Sequence, residues 1–159
     1  MSKTLYGGCQ CGSIRFSAKS LLDNPHVCHC RMCQKASGNF FSALVGVPLN
    51  DFTWTRGNPH VFRSSEFVER GFCHKCGTPL FFKHDKNAHI SMTIGSFDEP
   101  KDIPLEFQLG MESRLPQVDQ LAHLKDYGST EQNDPDGSTG IKDTNRQHPD
   151  HETTEWPVP

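Results

Sequence analysis

Ile14, Phe16 and Ala18 alternate with Arg15 and Ser17, the two-residue period of a half-buried strand. Short apolar segments of this kind recur along the chain. Residues 39–47 are rich in Phe and Val and are bounded by Gly38 and Pro48. Phe52 and Trp54 are parted from Val61 and Phe62 by Arg56-Gly57-Asn58-Pro59, a turn signal. Further segments fall at 67–72, 80–83, 89–94 and 105–109, with Gly, Pro, Asp or Asn clusters between them. No long stretch keeps a 3.6-residue period, so helix is expected only as short turns at 34–37 and 119–124. The pattern predicts a mainly β fold: a sandwich, a barrel or stacked sheets.

The pattern fades near residue 125. From Lys125 onward the large apolar residues are Tyr127, Ile141, Trp156 and Val158, set among Gly, Ser, Thr, Asp, Asn and Pro. Ordering a chain costs about 1–2 kcal/mol per residue in backbone entropy, which so little apolar surface does not offset. The division expected is a domain over 1–124 and an acidic low-complexity tail over 125–159. If the tail docks at all, Trp156 is the anchor that its composition offers.

Charge sharpens this division. The whole chain carries a formal −3, and the tail holds eight acidic against three basic residues, which leaves the domain at +2. That slight excess suits a small anionic ligand. It falls short of the imbalance that goes with nucleic acid or an anionic membrane, and basic residues are not interleaved with aromatics. No apolar run approaches the ~18 residues of a membrane helix, and the first residues lack the apolar core of a signal peptide. A soluble, cytoplasmic protein without nucleic-acid or membrane partners is expected.

The seven cysteines carry the chemistry. They form three groups: Cys9-x-Cys11, Cys28-x-Cys30-x-x-Cys33 and Cys73-x-x-Cys76. An odd count in a reducing compartment favours metal or redox chemistry over structural disulfides. Zinc prefers four tetrahedral ligands, and a tight C-x-C or C-x-x-C turn supplies two. Gly12 and Gly77, each just after a pair, fit the backbone freedom such turns need. Cys9, Cys11, Cys73 and Cys76 then make one closed structural site that ties the N-terminal strand to a hairpin some sixty residues on. Cys28, Cys30 and Cys33 would grip a second zinc and leave its fourth position open, as catalytic sites do. Two other readings stand beside this one. The trio could be idle reduced thiols, or its site could be closed by His26, His29 or another histidine. Three thiolates make a soft, charge-rich site, better suited to activating an incoming thiol than to hydrolysing with water.

Other residues offer less specific signals. His29 sits between two candidate ligands and is either a supporting group, a proton carrier or plain packing. His74 reads as an exposed loop residue and His89 as half-buried strand. Arg31, Lys35, Arg70, Lys75 and Arg114 could hold a substrate carboxylate, against the commoner role of solvated surface.

Three blocks resemble a known family. They are Gly8-Cys9-Gln10-Cys11-Gly12-Ser13-Ile14-Arg15-Phe16, then Cys28-His29-Cys30-Arg31-Met32-Cys33-Gln34-Lys35-Ala36-Ser37-Gly38, then Arg70-Gly71-Phe72-Cys73-His74-Lys75-Cys76-Gly77-Thr78-Pro79-Leu80. In order and spacing they are similar to the glutathione-dependent formaldehyde-activating enzymes, over most of residues 5–115. The resemblance implies a Mss4-like β-tent of packed antiparallel sheets with zinc knuckles. It implies a structural zinc on Cys9, Cys11, Cys73 and Cys76 and a catalytic zinc on Cys28, Cys30 and Cys33. It also implies a carbon–sulfur lyase that joins glutathione, as thiol co-substrate, to formaldehyde or another small aldehyde, giving S-hydroxymethylglutathione or its analogue. The alternative within the same likeness, which extends to centromere protein V, is a non-catalytic zinc scaffold or thiol-binding protein. A thiol-redox activity like that of methionine sulfoxide reductases would need a reactive cysteine away from zinc, and the four-plus-three partition leaves none. One position departs from the pattern: where family members often carry Trp after Ser113-Arg114-Leu115-Pro116, this chain has Gln117.

Overall fold

The computed structural model describes residues 3–156. Ten short strands build two sheets. The smaller contains β1 (Leu5–Gly8), β2 (Arg15–Ala18) and β5 (Phe52–Arg56) in the order β1-β2-β5, all antiparallel. The larger is formed by β3 (His26–Cys28), β4 (Ser42–Pro48), β6 (His60–Ser65), β7 (Val68–Phe72), β8 (Pro79–His84), β9 (His89–Thr93) and β10 (Phe107–Leu109). Its order is β10-β3-β4-β9-β8-β7-β6. One helix of two turns, α1 (Arg31–Ser37), bridges β3 and β4. This is the mainly β, two-sheet architecture that the sequence resemblance implies.

The core is where the apolar alternation points. Phe16 is fully buried and packs on Phe52, Trp54 and Phe97 with ring centroids 5.8, 6.0 and 5.1 Å away. Such aromatic pairs contribute about 0.5–1.5 kcal/mol each beyond their buried area. Val45, Val47, Leu80 and Met92 are likewise fully buried between the sheets.

Several elements differ from the sequence reading. Two strands were not anticipated: β1, whose Gly7 and Gly8 lack side chains to alternate, and β3, only three residues long. β10 pairs with β3 in parallel, so the sheets are not wholly antiparallel. The strand expected at 39–47 begins at Ser42, because Gly38, in the left-handed conformation, ends α1 just before it. The helical turn expected at 34–37 is the second half of α1, which starts at Arg31. The turn expected at 119–124 starts earlier, as α2 (Gln117–Gln120), and passes into a 3-10 turn at Leu121–His123.

Beyond residue 125 lie α3 (Thr130–Asn133) and α4 (Pro135–Thr144). Asp134 caps α4 by accepting from the Gly137 amide, and Pro135 occupies its first position. The segment that follows lies on the β1–β2 turn. The His148 amide donates to the Gln10 carbonyl at 2.7 Å, and the Trp156 indole donates to the Cys11 carbonyl at 3.0 Å. Arg15, 2 % exposed, forks onto both carboxylate oxygens of Asp98 at 2.8 and 2.6 Å and reaches Glu152 from the tail. Arg56 donates to the Gly12 carbonyl and to Thr153. The tail therefore docks through hydrogen bonds and the Arg15–Glu152 ion pair, with Trp156 edge-on against His148. Val158, the last apolar residue of the tail, lies outside the described residues.

This docking carries a pH dependence. His148 is buried; burial, with Arg15 and Arg56 facing it, holds its pKa below the usual 6.5, against the pull of the Pro149 carbonyl and Asp98. A depressed histidine pKa favours the docked form fully above the ordinary value, and that contribution is lost as pH falls through the lower, docked value. The Trp156 indole N–H resonance is thus expected to leave its hydrogen-bonded position as pH drops below 6.5. His148→Gln should flatten that titration; an unchanged titration in the variant would exclude His148 as its source.

Candidate metal centre

Cys9 and Cys11 sit on the turn between β1 and β2, and Cys73 and Cys76 on the turn between β7 and β8. Their four sulfurs lie within 4.8 Å of one another. Each turn closes in the same way. The Gly12 amide donates to the Cys9 carbonyl at 3.0 Å and the Gly77 amide to the Cys73 carbonyl at 2.8 Å. Both glycines are left-handed, with φ of 71° and 79°, a conformation that costs a side-chain-bearing residue. Cys9 and Cys11 sulfurs are 3.6 Å apart and Cys11 and Cys73 sulfurs 3.8 Å. Those separations are far beyond the ~2.05 Å of a disulfide. They match the edge of about 3.8 Å that a tetrahedron with 2.3 Å zinc–sulfur bonds requires. The donor set fits zinc in number, type and spacing.

Supporting groups surround the sulfurs. The Ile14 amide donates to Cys9 Sγ at 3.3 Å. The Ser13 hydroxyl lies 3.1 Å from Cys11 Sγ and 3.3 Å from Cys73 Sγ. The Thr78 hydroxyl lies 3.2 Å from Cys76 Sγ and accepts the Gln10 amide at 3.0 Å. Protons are unevenly held as a result. Burial pushes the Cys9 thiol up to about 12. At Cys76 burial is outweighed by the Thr78 hydroxyl and amide, which draw it down to about 6. A ligand set that already holds one thiol near its ionised form is primed for a cation.

Cys28, at the end of β3, Cys30, just before α1, and Cys33, in its first turn, form the second cluster, also within 4.8 Å. Cys30 caps the helix: its sulfur accepts from the Cys33 amide at 3.4 Å. Burial, with Cys33 beside it, pushes Cys28 up to about 12. Cys30 lies below the ordinary thiol value: burial opposes this, but hydrogen bonds from Cys33 and Cys28 and the charge of Arg70 outweigh it. Arg70, on β7, donates from Nη2 to Cys33 Sγ at 3.4 Å, and its guanidinium lies 5.0 Å over the Phe82 ring. The Ser37 and Ser42 hydroxyls both donate to the Cys33 carbonyl, at 2.8 and 3.0 Å. Buried Gln34 donates to the carbonyls of His29 and Ser113 at 2.7 and 2.8 Å, fixing α1 against the 111–114 turn.

No histidine joins this cluster among the described residues. His29 is fully buried, with Nε2 at 2.9 Å from the Gln108 amide oxygen and its ring edge-on to Phe41. His26 bonds the Asn24 carbonyl through Nδ1 and stacks on Phe107. His74 is exposed and stacks on His60, and His89 is half-buried. Of the five cations noted in the sequence, Arg70 alone bonds a cluster sulfur among the described residues. Arg114 is paired with Asp119, Arg31 bonds Gln34, and Lys35 and Lys75 are exposed. Ser13, Thr78, Gln34 and Gln108 escape a sequence reading because an isolated Ser, Thr or Gln carries no spacing signal. Gln117 is exposed at the start of α2.

Two separated cysteine clusters on a two-sheet β scaffold, one with four thiols and one with three, define a protein able to hold two metal ions. The chain belongs to the glutathione-dependent formaldehyde-activating enzyme family, whose model matches residues 4–111. A Phaeosphaeria nodorum protein provisionally named for that activity is 34% identical over 79 residues, 48% of this chain and 42% of the relative. An Aspergillus terreus protein named in the same way is 29% identical over 79 residues, 48% and 41% of the two chains. An uncharacterised lyase of Schizosaccharomyces pombe is 31% identical over 80 residues, 49% and 56%. The chain thus spans about half the length of the curated relatives it matches. The crystal structure of a Rhodobacter sphaeroides protein superposes with a TM-score of 0.54 at 19% identity, covering 65% of this chain and 98% of that one, and shows the shared fold. Among the described residues no helix is long and apolar enough to cross a membrane.

Proposed function

We propose that the protein is a zinc-dependent carbon–sulfur lyase of the S-(hydroxymethyl)glutathione synthase type, joining a glutathione thiol to a small aldehyde. The observation that carries this reading is the trio Cys28, Cys30 and Cys33, three convergent thiols with no fourth protein ligand among the described residues. The closed set Cys9, Cys11, Cys73 and Cys76 would hold a structural zinc. A zinc ion on the trio supplies Lewis acidity that lets a thiol give up its proton at neutral pH.

The chain's own residues hold the site and handle charge. Ser37 and Ser42 fix the Cys33 backbone, and Gln34 fixes the helix that carries it. Arg70 presents a permanent cation beside Cys33, where negative charge collects on the aldehyde oxygen as the carbon–sulfur bond forms. Arg31 and Lys35, exposed on the helix that carries Cys33, would meet the carboxylates of glutathione. In balance, the thiol loses its proton, sulfur bonds the carbonyl carbon, the carbonyl π pair moves to oxygen, and the oxygen takes a proton.

Calorimetric titration of glutathione into zinc-loaded protein tests the reading. One equivalent should bind, and S-methylglutathione, which cannot ionise at sulfur, should bind at least tenfold more weakly. Equal binding of the two, or none, would overturn thiol activation at the trio.

A further inference from the structure

A cavity of about 290 Å³ opens where α1 meets the large sheet. Ser37 and Ser42, both bonded to the Cys33 carbonyl, lie on its wall, as does Arg70, which bonds the Cys33 sulfur. The cavity is therefore one side chain away from the trio. Its other walls are mainly apolar, among them Leu44, Phe62, Phe72, Phe81 and Phe82, with the Thr93 side chain also lining it. Among the described residues lining it, Arg70 is the one charged group. Arg70 Nη2 is engaged by the Cys33 sulfur, and Nε, shielded from solvent, has no hydrogen-bond partner among the described residues.

Formaldehyde is hardly larger than a water molecule, which takes up about 30 Å³ in the liquid. It would fill a small part of this space and cover almost none of the phenylalanine surface. Glutathione is a poor occupant for the opposite reason. Its ammonium and two carboxylates would lose hydration against phenyl rings and gain a single cation in return. An apolar substituent of aromatic size fits both the volume and the lining. A carbonyl oxygen at the cavity wall meets the Arg70 guanidinium, whose Nη2 bonds the Cys33 sulfur.

From this we propose that the aldehyde taken by this protein carries an apolar, aromatic-sized substituent that occupies the cavity, with the Arg70 guanidinium receiving its carbonyl oxygen. The proposal rests on the thiol-plus-aldehyde reading above and replaces its smallest substrate with a larger class. The bond changes are the same: sulfur–carbon forms, the carbonyl π bond opens, and the thiol proton ends on the new hydroxyl. No oxidant or reductant takes part.

Two measurements separate the cavity from the chemistry. The first is occupancy, read by NMR with 2-phenylethanol, an unreactive stand-in for phenylacetaldehyde, added to zinc-loaded protein. The methyl resonances of Leu44 and Thr93 should shift and saturate, while methanol at the same concentration leaves them in place. No saturable shift would overturn the proposal whatever the protein catalyses. The second is rate, read as kcat/KM for phenylacetaldehyde relative to formaldehyde, each with glutathione. The ratio should exceed ten, and it should fall at least tenfold in Ala36→Trp, which projects into the cavity from an exposed helix position. Turnover of formaldehyde with a ratio of one or less would sink the proposal and leave the proposed function standing. Saturable binding with no turnover of either aldehyde would sink the proposed function, and with it the assignment of the ligand as a substrate.

Discussion

Cys73→Ser is expected to unfold the protein. Cys73 is fully buried and its sulfur touches both Cys11 and Ser13, so it is a central link between the β1–β2 turn and the β7–β8 turn. Those turns are more than sixty residues apart and belong to different sheets. Structural zinc in small domains contributes on the order of 10–16 kcal/mol of apparent binding free energy, against a total stability of about 5–15 kcal/mol for a typical domain. A hydroxyl is a poor zinc ligand, so losing one of four thiolates removes a large share of that energy. The variant should lose its cooperative thermal transition and its near-UV circular dichroism at 25 °C. A stable variant melting within a few degrees of the parent would mean that the four cysteines are not a structural metal site.

Cys30→Ser should do the opposite: keep the fold and lose the reaction. Cys30 is partly exposed at the start of α1, where its sulfur accepts the Cys33 amide. Serine is among the best residues for that capping role, so the helix keeps its start and the melting temperature should stay close to the parent's. The thiol trio becomes a pair. Removing a group that merely supports a ligand costs 10–100-fold in affinity or activity, so losing the ligand itself should lower kcat/KM for thiol addition by more than about a hundredfold. Metal analysis should show one zinc per chain instead of two. Full rate in this variant would exclude the trio from the chemistry. The same Cys→Ser change thus yields opposite phenotypes in the two clusters, which separates their roles.

Much of this was readable in the sequence, for reasons that are local. The period of Ile14, Phe16 and Ala18 marks β2 because one residue faces the core and the next does not. Gly12 and Gly77 mark the knuckles because the turns need left-handed backbone. The grouping of cysteines into four and three follows from ligand number, and the structure brings together those same two groups. What escaped is set by partners distant in the chain. Arg15 occupies a polar position in the alternation and would face water on an isolated hairpin, but residues 146–156 cover that face and bury it against Asp98 and Glu152. β3 has three residues and becomes a strand only by pairing with β4 and, some eighty residues later, β10. α4 carries Asp134 and Pro135 as start signals, but Gly137 and Gly140 in its interior argue against a helix on propensity alone. Arg70 was visible as one of five cations, and only the fold distinguishes it from the other four.

The strand order of the large sheet bears on the spacing of the reactive groups. β4, beneath the thiol helix, and β7, which carries Arg70, are separated by β9 and β8. On a flat sheet that is about 14 Å, yet the guanidinium and the Cys33 sulfur are 3.4 Å apart. The reach of the arginine and the position of Cys33 on α1, off the sheet, close the difference. The strand order therefore sets the sulfur over one part of the sheet and the cation on another. Anything that stiffens or flattens the sheet, including hydrostatic pressure or a bulkier residue in the middle of β8 or β9, would tune the gap between them without touching either group.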